Sequence, residues 1–85
     1  MEYVIAVFSI RTETLMFNSY LQRLGINSTI INTPKETHTS CGISVKFPLN
    51  KFDIVKRVNM RTYRSFLGFF KYKNFGLKVI VSPIK

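Results

Sequence analysis

Tyr3-Val4-Ile5-Ala6-Val7-Phe8 is the longest unbroken apolar run in the chain, and it leaves few choices of architecture. Its β-branched and aromatic side chains favour a strand, and successive side chains of a strand point to opposite faces. Both faces of this one are apolar, so it belongs in the middle of a sheet with something packed on each side. The run has six residues, far short of the ~20 needed to span a bilayer, and no membrane partner is expected.

The chain has 85 residues, 46% of them apolar. That is enough for one domain, residues 1–85, and too little for two cores. Met1-Glu2-Tyr3-Val4 has neither a basic region nor a cleavage site, so it does not read as a signal peptide. One cysteine excludes an internal disulfide. Together these features predict a cytoplasmic protein in a reducing compartment.

After the first strand, Ser9 or Thr12 is placed to cap a helix in which Phe17, Tyr20, Leu21 and Leu24 form one stripe and Gly25 supplies the stop. Ile26 to Thr33 reads as a second strand ended by Pro34, and Pro34 to Cys41 as a polar loop. Gly42 to Phe47 alternates as a half-buried third strand. Asn50, with Asp53 three residues on, predicts the cap of a second helix with Ile54, Val55 and Val58 inward, ending near Met60 to Tyr63. Ser65 to Tyr72 and Leu77 to Val81 read as a hairpin around Lys73-Asn74-Phe75-Gly76.

The order β-α-β-β-α-β-β predicts an α+β, ferredoxin-like fold, β-α-β-β-α-β with an added C-terminal edge strand. Right-handed crossovers put the first strand in the middle, between the third and fourth. Cys41 then lies beside Ser9 and the N-terminus of the first helix, at the edge where Arg61 and Arg64 also arrive. With one helical layer, the second face of the sheet needs another cover, and a symmetric homodimer is expected to supply it.

Cys41 is the first candidate for chemistry by residue type. The thiolate is the nucleophile, and a helix N-terminus or a cation such as Arg11 favours it. Gly42 leaves room for a partner beside the sulfur. Such a thiol could carry sulfur as a persulfide, or selenium, by exchange with another protein. The competing reading is a small semi-buried hydrophobe. His38, three residues earlier, is either a base for Cys41 or an ordinary loop histidine; with one His and one Cys in the chain, a zinc set is incomplete. The four carboxylates are scattered and there is no phosphate-cradling glycine loop, so neither catalysis by this chain alone nor a cofactor is expected.

Charge is lopsided. Residues 1–40 balance Arg11, Arg23 and Lys35 against Glu2, Glu13 and Glu36; residues 41–85 set ten Lys and Arg against Asp53 and hold the whole net charge of +9. Beside the aromatics of residues 64–73, Arg61, Arg64, Lys71 and Lys73 form a candidate surface for anionic partners. A nucleic-acid-binding module is therefore the alternative function.

Phe8-Ser9, Leu24-Gly25-Ile26, Thr33-Pro34-Lys35-Glu36, Ser40-Cys41-Gly42-Ile43 and Phe47-Pro48, in that order, resemble the short bacterial selenium/sulfur carrier-like proteins. The resemblance covers roughly residues 1–60, with Thr-Pro-Lys-Glu and Ser-Cys-Gly as its most specific parts. It implies that Cys41 is the carrier cysteine, framed by Ser40 and Gly42, and that the partners are sulfur or selenium donor and acceptor proteins. Beyond Met60 the chain departs from the family pattern, so the basic aromatic hairpin is expected to be an addition.

Overall fold

The apolar run becomes β1 (Glu2–Phe8), the central strand of a five-stranded antiparallel sheet. In the computed structural model, which describes residues 2–84, Val4 to Phe8 are at most 1% exposed. The other strands are β2 (Thr29–Asn32), β3 (Ile43–Pro48), β4 (Phe66–Phe75) and β5 (Lys78–Pro83), in the spatial order β2-β3-β1-β4-β5. The first strand thus lies between the third and fourth, as the element order implies, in a small α+β fold.

Helix α1 (Arg11–Arg23) covers one face, burying Thr14, Phe17 and Leu21. Its N-cap is Ile10, with no side-chain cap, rather than Ser9 or Thr12. The hydroxyl of Thr14 donates back to the Ile10 carbonyl instead, at 3.2 Å. Gly25 does end the helix. Its φ of +80° lets its N–H reach the Gln22 carbonyl while the Ile26 N–H reaches Leu21, each at 3.0 Å. That closing motif shortens the second strand from the expected 26–33 to Thr29–Asn32. Ile26 is held by the helix end, and the Ser28 hydroxyl is tied to the Asn18 side chain at 2.7 Å.

The second helix is the largest departure. Instead of running from Asn50 to somewhere between Met60 and Tyr63 it is one turn, α2 (Phe52–Val55), between 3-10 turns at Leu49–Lys51 and Met60–Thr62. Asn50 does not cap it, and Ile54, expected inward, is 49% exposed. β-branched residues are weak helix formers, and the core takes Val55 fully but Phe52 and Val58 only in part. Asn59 then accepts from the Arg61 N–H and starts the next 3-10 turn.

Both faces of the sheet are filled from within the chain. Val4, Ala6 and Phe8 point into the core under α1, where Phe66 packs on Phe8 at 5.4 Å and Phe69 on Phe52 at 5.2 Å between ring centroids. Ile5 and Val7 point the other way and are just as sealed, as is Ser44 of β3 beside Val7, while Lys46 on that same face of β3 is only half-buried. Their cover is the hairpin: β5, at one edge of the sheet, packs on the Lys35–Thr37 turn that follows β2 at the opposite edge. The strands are longer than expected and meet at a Gly76-Leu77 turn. Pairing jumps from Val7 with Gly68 to Phe8 with Phe66, leaving Leu67 as a bulge. Gly68 has φ +147°, a region that L side chains rarely adopt, and a bulge bends and twists its strand. The bare face that motivated the dimer is therefore occupied by the chain itself.

Candidate functional site

Cys41 is half-buried in the loop between the Lys35–Thr37 turn and β3. Hydrogen bonds hold the loop at both ends. The buried Thr37 hydroxyl donates to the Pro34 carbonyl at 3.0 Å and lies 2.8 Å from the Thr39 hydroxyl. On the other side the Thr33 N–H donates to the Gly42 carbonyl at 3.1 Å, and the Thr33 and Ser44 hydroxyls pair at 2.6 Å.

Cys41 lines a hollow of about 100 Å³ with Phe8, Ser9, Arg11, Thr14, Ser40, Gly42 and Ile43. The end of β1, the first turn of α1 and the start of β3 thus converge on the cysteine. No side chain caps α1, so its first N–H groups are open beside the hollow, which Arg11 also lines; Glu13, the acidic residue of the same turn, is engaged by Ser65. A Cβ placed on Gly42 would meet nothing within 4 Å, so packing does not demand glycine there.

A clasp fixes this edge of the molecule. Glu13, in the first turn of α1, accepts from the Ser65 hydroxyl at 2.6 Å and the Ser65 N–H at 2.8 Å. The Ser9 N–H donates to the Ser65 carbonyl at 2.9 Å. Ser65 therefore joins the end of β1, the start of α1 and the approach to β4. Its hydroxyl, more than its N–H, holds the Glu13 carboxyl below the usual range, with a smaller contribution from the Arg64 charge.

Of the other residues singled out from the sequence, Ser40, Gly42 and Arg11 share the hollow with Cys41. Arg61 and Arg64 are exposed and outside it; Arg64 interacts with Glu13 instead. His38 is also outside, in a separate hollow with Lys35, Glu36 and Val81, and takes a left-handed backbone with φ 57°. Lys71 is exposed, whereas Lys73 pairs with Glu2 at 3.3 Å. Phe66 and Phe69, part of the candidate base-stacking stretch, are packed into the core cluster. Thr14 and Phe8 were not anticipated at the site. Extending the stripe Phe17, Leu21 back by one helical step reaches Thr14. No group of three metal-ligating side chains occurs among the described residues, and none of their helices is long and apolar enough to cross a membrane.

A larger cleft, about 750 Å³, opens at the far end of the sheet between the start of β1 and the end of β3. Lys46 lies there, its ammonium 4.4 Å from the Tyr3 ring centroid, but no cysteine or histidine lines it.

The family model described as "Putative Se/S carrier protein-like" matches residues 2–71. The chain belongs to that family. No curated protein and no solved structure matches the chain significantly. The Se/S carrier-like match contains the whole Cys41 hollow and runs into β4 as far as Lys71, beyond the residue-60 limit expected from the sequence motifs. The end of β4, the turn and β5 lie past it.

Proposed function

We propose that the protein carries sulfur or selenium on the thiol of Cys41 and passes it between a donor and an acceptor protein, without catalysing a reaction of its own. The observation that carries this reading is the Cys41 hollow, built from residues inside the matched family region. In the loading step the Cys41 thiolate attacks the terminal sulfur of a donor persulfide. A new S–S bond forms to Cys41, the donor's S–S bond breaks, and the donor cysteine leaves as a thiolate with the electron pair. Unloading is the same exchange, with the acceptor thiolate as attacker. Selenium would move by the same substitution.

Two features support a relay between proteins. The hollow is about 100 Å³, which admits the added chalcogen atom and a few waters but not a bulky organic substrate. Gly42 is exposed with open space around it, so a partner's cysteine can approach the sulfur. Arg11 and the open end of α1 would stabilise the anionic terminal sulfur. The strand order supports a ferredoxin-like reading of the fold, with its second helix worn down to one turn.

The test is intact-mass analysis after incubation with a protein persulfide donor. Wild type should gain one sulfur atom, removable by reductant, and Cys41→Ser should gain none. A wild-type chain that stays unmodified by a protein persulfide donor (S–SH) and by a protein selenopersulfide donor (S–SeH) alike would end this reading.

A further inference from the structure

The tip of the β4–β5 hairpin is not used by the Cys41 site and lies beyond the matched family region. The strands close on a Gly76-Leu77 turn, with Phe75 paired to Lys78 and Lys73 to Ile80. Strand alternation places Lys73, Phe75, Lys78 and Ile80 on one face, with Lys71 next along it. Leu77 is as exposed as it would be in an extended chain, at 105%, while Phe75 and Ile80 are each just over half exposed. This is a convex apolar point with a collar of cations. Large apolar side chains grouped in this way, and held out on a rigid two-stranded support, mark an interaction site.

We propose that this tip is a peripheral anchor for an anionic lipid surface. A bilayer interface accepts a convex wedge of Leu, Phe and Ile without a matching pocket, while lysines beside it extend their ammonium groups to the headgroup phosphates. The charge is complementary: no acidic side chain follows Asp53 in the sequence, and the carboxylate that register places beside this face, Glu2, is paired with Lys73 at 3.3 Å, so Lys71 and Lys78, both exposed, carry the attraction to anionic headgroups. Nucleic acid fits less well. The most exposed side chain is aliphatic and cannot stack on a base, and the one ring at the tip, Phe75, already has the Lys73 ammonium 5.3 Å from its centroid. The absence of a membrane-spanning helix has no bearing on such an anchor, which lies in the interface only.

The experiment is co-sedimentation of the full chain with vesicles of phosphatidylcholine alone and of phosphatidylcholine mixed with phosphatidylglycerol. Binding is expected to the mixed vesicles only and to weaken with salt. Leu77→Asp should lower the partition coefficient about tenfold or more, from loss of one buried aliphatic side chain. Charge reversal at Lys71 and Lys78 together should lower it similarly. Because Leu77 is fully exposed, these variants should keep the wild-type circular dichroism. As a positive readout, the tryptophan introduced by Leu77→Trp should shift its emission to the blue when mixed vesicles are added. The proposal is overturned if wild type ignores mixed vesicles, if Leu77→Asp binds them as wild type does, or if the emission of the introduced tryptophan stays put. Salt-sensitive binding to a single-stranded RNA oligonucleotide without vesicle binding would overturn it too.

Discussion

Gly42 and Glu13 show how differently two residues at one edge of the molecule are constrained. Gly42 needs neither an unusual backbone nor a missing Cβ, so Gly42→Ala should change stability by less than about 0.5 kcal/mol in urea unfolding. If the residue serves approach to the Cys41 sulfur, the same variant should slow sulfur uptake from a donor protein, measured by timed mass analysis. Glu13 is bound into the fold through Ser65. Its carboxyl is held below the usual range when folded, so the stabilisation is present above the unfolded-state value near ~4 and is lost as pH falls through the lower folded-state value. Glu13→Gln should therefore lower Tm at neutral pH and flatten the acid side of the Tm–pH profile below about pH 4. A variant profile parallel to wild type throughout would show that the clasp contributes nothing through ionisation.

Elements whose signals are local are legible in the sequence. β1 follows from its two apolar faces, α1 from its stripe and Gly25, and the Cys41 hollow from the order of elements and the handedness of crossovers. The reach of α2 is not legible, because Ile54, Val55 and Val58 suggest a stripe while tertiary packing takes only one turn of it. Nor is the roll of the hairpin, which rests on contacts between β5 and residues near Lys35, far away in the chain. The bulge at Leu67-Gly68 helps set that roll. Gly68→Ala should cost about 1–3 kcal/mol from backbone strain alone, since a Cβ there meets no neighbour. Chemical denaturation would measure it, and an unchanged midpoint would mean that the φ of +147° is not demanded by the fold.

For the whole molecule, the covered second face changes what is expected of assembly. With Ile5 and Val7 sealed inside one chain, sedimentation at micromolar concentrations should give a monomer; a dimer would have to be built on some other surface. Val81 lies over the hollow beside Lys35, Glu36 and His38, where β5 meets the Lys35–Thr37 turn. Val81→Asp should prise this seam open, lowering stability and increasing binding of a hydrophobic dye. The seam also has a consequence in time. β1 leaves the ribosome long before β5, so Ile5 and Val7 wait without cover while all of the chain between the two strands is made. Non-local closure of this kind is slow compared with forming a helix, and exposed sheet surface invites aggregation in the interval. A nascent chain stalled before Lys78 would therefore be a client for chaperones, although most of its sheet could already be paired.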